Sequence, residues 1–128
     1  MPLVRFSIPE HVDSVSIGHL TDAVHDALIS AVGIPVADRF HTIERLAPDR
    51  LILDPSFQVE RRSRDATIVH ITLRSGRTDD VKRALYRTIV ENVAARTTIL
   101  PTDIMIVLVE NALVDWSFGD GIAHYARE

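Results

Sequence analysis

Apolar positions in this chain follow two periods, and the switch between them marks out its elements. From Leu3 to Ile8 they crowd a stretch of strand length, LVRFSI. Beyond it Ile17, Leu20, Val24, Ala27, Leu28 and Ala31 recur at steps of three and four, the stripe of an amphipathic helix. Asp13 or Ser14 is placed to cap its start. Gly33 and then Pro35 stop it, because glycine accepts a left-handed exit and proline cannot continue the hydrogen-bond ladder. A second strand is predicted from about Arg39 to Leu46.

The pattern then repeats. Sliding the chain against itself by 65 residues, close to half of its 128, aligns the two halves without a gap. Val4, Phe6 and Ser7 face Val69, Ile71 and Thr72; Leu20, Val24 and Leu28 face Leu85, Ile89 and Val93; Asp38 faces Asp103 and Ile43 faces Leu108. Thr67 to Leu73 is therefore a strand, and Thr78 with Asp79 and Asp80 starts a helix by capping its amides and complementing its dipole. Val81, Leu85, Ile89 and Val93 make that helix's buried stripe. Pro101 lies past its end, and Ile104 to Val109, apolar throughout, reads as a last, buried strand. A linker rich in Pro, Asp and Arg joins the halves from Ala47 to Asp65, with Leu51, Ile52 and Leu53 as a candidate short strand or turn.

Each half is thus β-α-β, and crossovers between parallel strands are right-handed. Two such units joined edge to edge about a local twofold give an α+β, two-layer fold: a four-stranded mixed sheet with both helices on one face. The expectation is a single domain over residues 1–128, with repeat halves of about 2–46 and 67–110 and a C-terminal segment 111–128. The other sheet face stays bare, and an apolar face left in water drives association, so a homo-oligomer is expected.

Composition narrows the function classes. A net charge of −4 offers no basic field to track a phosphate backbone, which argues against nucleic acid as a partner. Arg61, Arg62 and Arg64 form the one basic run and read as a solvated loop. Cysteine is absent, so there is no thiolate chemistry. No apolar run approaches the ~20 residues a membrane-spanning helix needs, and MPLVRFSIPE has neither a charged leader nor a long apolar core, which together predict a cytoplasmic protein without membrane association. The six histidines show no metal-ligand spacing, and Gly119 and Gly121 do not form a phosphate loop, so no metal or cofactor is expected. His70, mid-strand, suits a hydrogen-bonded structural role.

The polar residues converge if the two units run antiparallel to each other while each keeps its own strands parallel. Pro2 begins the first strand, Asp38 begins the strand beside it, Arg74 ends the third and Val109-Glu110-Asn111 ends the fourth, all at one edge. An all-parallel sheet would instead part Pro2 from Arg74 by roughly 20 Å, at about 3.3 Å per residue. Pro2, exposed by removal of Met1, is a secondary amine titrating from a reference near about 7.7–8.0, and apolar surroundings lower it. Neutral it is a base; protonated it polarises a carbonyl. Arg74 and Arg77 offer planar forks for a carboxylate. Asp38 is placed to orient a water or hold the ammonium form of Pro2, and Trp116 and Phe118, in DWSFGDG, to supply a dry wall.

These residues also carry a resemblance. The start MPLVRF, the runs Val36-Ala37-Asp38-Arg39-Phe40 and Leu73-Arg74-Ser75-Gly76-Arg77, and Val109-Glu110-Asn111 followed by Asp115-Trp116-Ser117-Phe118-Gly119 resemble the malonate semialdehyde decarboxylase branch of the tautomerase superfamily over nearly the whole chain. The resemblance implies a homotrimer of β-α-β-repeat subunits and a cofactor-free enzyme whose reactive group is the amino-terminal proline. It matches Asp38 to an aspartate of the site, and Arg74 and Arg77 to arginines that bind a small oxo-carboxylate. One residue separates those arginines in that pattern, whereas Ser75 and Gly76 both intervene here. The activities implied are decarboxylation of a 3-oxo acid, keto-enol tautomerisation of a 2-oxo acid such as phenylenolpyruvate, and hydration; a binding protein that keeps the fold without catalysis is the remaining alternative.

Overall fold

The computed structural model describes residues 1–128. The chain runs β1 (Leu3–Pro9), α1 (Ser14–Ala27), a π-helical turn (Leu28–Val32), β2 (Phe40–Leu46), β3 (Thr67–Arg74), α2 (Asp79–Arg96) and β4 (Ile104–Asn111). No helix is long and apolar enough to cross a membrane.

The strands form one mixed sheet in the order β2-β1-β3-β4, parallel within each half and antiparallel between the halves. The repeat is realised in the register itself. Leu3 pairs with Phe40 and Ile68 with Met105, the same sequence separation in both parallel pairs. Across the central pair Leu3 meets Thr72 and Ser7 meets Ile68, so Arg5 and His70, which are repeat mates, face each other on the local twofold axis. The helices start in step as well. Asp13 caps α1 by accepting from the Ser16 N–H at 2.7 Å, and Thr78 caps α2 by accepting from the Val81 N–H at 3.3 Å. Thr78→Ala is expected to cost about 1 kcal/mol and lower the melting temperature by about 4 °C, read by thermal denaturation; an unchanged melting curve would show that Asp79 and Asp80 suffice at that helix start.

Alternation in β1 and β3 sends Val4, Phe6, Ile8, Val69, Ile71 and Leu73 beneath the helices, where they pack with Leu20, Val24, Leu28, Leu85, Ile89 and Val93 in one core. Burying each such side chain is worth about 1.5–3 kcal/mol, so this layer sets the fold. The helices are tied to each other by the Asn92 amide donating to the Ala23 carbonyl (3.1 Å) and by an Arg96–Asp26 ion pair. Gly33, at φ 81°, ends the π-helical turn in the left-handed conformation.

The sheet face away from the helices is bare, as expected: on β4 the outward residues Met105, Val107 and Val109 are 43%, 37% and 44% exposed. The structure departs from the sequence reading at four points. His70 lies on that open face opposite Arg5 and makes no side-chain hydrogen bond. Residues 51–53 form no strand; Leu51 and Leu53 turn inward while Ile52 is exposed, since no sheet edge reaches them. Asp38 precedes β2, in a turn, rather than beginning it. Arg62 is anchored, its Nη1 donating to the Thr102 carbonyl (2.6 Å) and its Nε to that of Asp54 (3.2 Å), which pins the linker to the second repeat.

Candidate functional site

The site is built on the start of β1. Because β2 runs parallel beside it, with Leu3 opposite Phe40, the residues leading into the two strands also lie side by side. Met1 and Pro2 are buried there, and the Met1 amine forms an ion pair with Asp38. The Asp38 side chain is 11% exposed, and its second oxygen, Oδ1, is buried with no hydrogen-bond partner. Backbone bonds from Asp38 N–H to the Pro35 carbonyl (3.1 Å) and from Arg39 N–H to that of Ala37 (2.9 Å) shape the turn that carries it.

Arg74 comes from the other neighbour. β3 is antiparallel to β1 with Thr72 opposite Leu3, so two further residues bring Arg74 level with the chain start. Beyond it the chain turns sharply: Ser75 N–H donates to the Asn111 carbonyl at 2.8 Å, and Gly76 sits at φ 119°, a conformation that glycine adopts without strain. The turn folds Arg77 back so that its Nη1 donates to the Arg74 carbonyl at 2.9 Å. Thus Ser75 and Gly76 together leave both guanidinium groups at the same end of the sheet.

These charges act on one another. Burial first, then the charges of Arg77 and Arg74, lower the Met1 amine from its ordinary value to about 6. The Asp38 carboxylate in contact with that amine acts the other way, favouring the ammonium. Arg77 is itself lowered by burial and by repulsion from Arg74, with Glu110 opposing. Glu110 accepts from Lys82 at 2.7 Å, and this bond holds its carboxyl below the usual range. Lys82 and Glu110 brace the Arg77 turn from the α2 side; only the position of Glu110 next to Asn111 hinted at this in the sequence.

Trp116 and Phe118 belong to the C-terminal segment. The Trp116 indole N–H donates to Asn111 Oδ1 at 2.7 Å, and Asn111 is the register partner of Arg74. Trp116 and Phe118 stack with centroids 5.8 Å apart, and Phe118 leans on Phe40 at 5.3 Å. With Leu3, Thr72 and Asn111 these three aromatics line a cavity of about 370 Å³ on the open sheet face. The structure therefore gathers Pro2, Asp38, Arg74 and Arg77 at one edge and sets Trp116 and Phe118 beside the residue that follows Pro2. A larger cavity, of about 460 Å³, lies at the opposite end of β1 among Pro9, Leu46, Leu51, Leu53, Arg62 and Arg64, remote from the amine. A polarisable amine beside one carboxylate and two guanidinium groups is equipped to hold a small anion and pass a proton to or from it.

A family model described as "Tautomerase enzyme" matches residues 38–119. The probable tautomerase YrdN of Bacillus subtilis is 30% identical over 125 residues, 98% of this chain and 96% of that protein. A crystal structure of FG41 malonate semialdehyde decarboxylase inhibited by 3-bromopropiolate superposes with a TM-score of 0.91 at 32% identity, covering 96% of this chain and 93% of the other. A fused 4-OT, described as a symmetric trimer, shares the fold at a TM-score of 0.78 and 22% identity, over 96% and 97% of the two chains.

Proposed function

The chain belongs to the tautomerase family of enzymes, and from that premise we propose that it acts on a small oxo-carboxylate through the secondary amine of Pro2, freed by removal of Met1. The observation that supports this most is the amine at the start of β1, paired with Asp38 and within the field of Arg77 and Arg74. The Met1 amine here stands in for that of Pro2, one residue further on.

Decarboxylation of a 3-oxo acid such as malonate semialdehyde is the leading reading, in keeping with the likeness to the decarboxylase. Arg74 and Arg77 hold the carboxylate in place. The ammonium form of Pro2, favoured by Asp38, hydrogen-bonds the 3-carbonyl. The bond from C2 to the carboxyl carbon then breaks, its electron pair forming an enolate whose oxygen is stabilised by the ammonium, and C2 takes up a proton after carbon dioxide leaves. Trp116 and Phe118 offer an apolar wall beside the site, against which a bound acid would displace water.

Keto-enol tautomerisation of a 2-oxo acid is a second reading, favoured by the lowering of the Met1 amine to about 6. Neutral Pro2 would then be the base that moves the proton. The two readings differ in sign: a base role makes kcat rise with pH through the amine's pKa, and an ammonium role makes it fall. The open apolar strip on β4 and the trimer of the fused 4-OT support assembly as a homo-oligomer, most simply a homotrimer.

Treatment with 3-bromopropiolate tests the common core of both readings. The expected result is loss of activity with one adduct, placed on the N-terminal peptide by mass spectrometry. An unlabelled N-terminal peptide, or a mature protein that still begins with Met1, would overturn it.

A further inference from the structure

The turn that carries Asp38 has little packing of its own: Pro35, Val36 and Ala37 are exposed, Val36 by 74%. Two side chains of α1 reach it. Asp22 pairs with Arg39 at 2.7 Å, but both are well exposed and such a pair is weak in water. His25 is 4% exposed, and its Nε2 lies 2.8 Å from the Val36 carbonyl oxygen. That acceptor requires a proton on Nε2, while Nδ1 is buried and without a partner. The His25 ring is buried whereas both partners of the Asp22–Arg39 pair are exposed, so the histidine bond is the less screened of the two tethers.

The neighbours of His25 keep it in place. His41 packs edge-on at 6.0 Å between ring centroids and rests on Phe6 at 5.1 Å. Burial, then the charges of Arg39 and His25, lower His41 to about 4, against a small opposing effect of Asp22, so His41 is uncharged near neutral pH. The charged groups facing the chain-start amine are Asp38, Arg77 and Arg74.

We propose that His25 is a positioning residue: through the Val36 carbonyl it fixes the turn that presents Asp38 to the N-terminal amine. The inference rests on the reading of Pro2 and Asp38 given above. Asp38 Oδ1 has no other bond to hold it, so a shift of the turn moves the whole carboxylate. A misplacement of about 1 Å at a reacting group costs about 10²-fold in rate.

The test uses the mature chain with His25→Leu, which removes the donor, and His25→Gln, which keeps an N–H at similar reach. In His25→Leu, NMR titration should find the N-terminal amine lowered by about one pH unit as the carboxylate withdraws. Turnover of malonate semialdehyde should lose about 10- to 100-fold in kcat, with KM altered less than about threefold because the guanidinium groups are untouched. His25→Gln should recover most of both. Wild-type kcat and amine titration in a folded His25→Leu would overturn the inference. Long-range proton–nitrogen spectra of the wild type provide a readout that needs no variant: the Nε2–H tautomer at His25 supports it, and the Nδ1–H tautomer overturns it. If the wild type turns over neither acid and takes no adduct, the proposed function falls, while the amine titration still decides whether His25 holds Asp38.

Discussion

Pro2→Ala should lower kcat for the preferred oxo acid by about 10³-fold, within the range of about 10²–10⁴ that a positioned proton donor or acceptor contributes. Alanine also permits removal of Met1, so the variant keeps a free amine at the same place. It loses the pyrrolidine ring that makes the amine secondary, more basic and rigid. β1 and its pairing with β2 start at Leu3, so the sheet does not depend on Pro2 and the strand pairing should survive. Circular dichroism matching the wild type, with kcat collapsed and KM little changed, is the expected combination. Turnover within about threefold of the wild type would remove Pro2 from the chemistry.

The largest loss of stability should come from Asp103→Ala. Asp103 is fully buried; its Oδ1 accepts from the Ser63 N–H at 2.6 Å, and its Oδ2 accepts from the Ser63 hydroxyl at 2.7 Å and the Leu100 N–H at 3.1 Å. Alanine would remove all three bonds to a charged acceptor, and at about 0.5–1.5 kcal/mol net for each a loss of about 2–4 kcal/mol is expected. Denaturant melts should show it as a midpoint shift with an unchanged slope. A variant within about 1 kcal/mol of the wild type would mean that the linker relaxes to satisfy Ser63 elsewhere. Asp38, the repeat mate, is a different case: it has the amine on one oxygen and nothing on the other. Of two equivalent carboxylates, one is consumed in holding the linker and the other is left facing the site.

Features decided within a few residues were legible in the chain. Caps at Asp13 and Thr78, the exit at Gly33 and the two apolar stripes are local matters of hydrogen bonding and periodicity, and the match between halves supplied the pairing. The gathering of Arg74 with Pro2 followed from that pairing alone. What escaped was set by tertiary context. His25 bonds a main-chain carbonyl eleven residues away, and carbonyls leave no mark in a sequence. Arg62 gave no sign of its anchorage for the same reason, since both its acceptors are backbone oxygens. The back-folding of Arg77 depends on the positive φ of Gly76, which its spacing from Arg74 alone does not reveal.

The twofold relation between the halves has a further consequence. The counterpart of Pro2 in the second repeat is Thr67, fully buried and joined to the chain on both sides. A backbone with two matching ends thus possesses just one free terminus to place on them. Covalent continuity makes the ends chemically unequal while leaving their strand pairing alike.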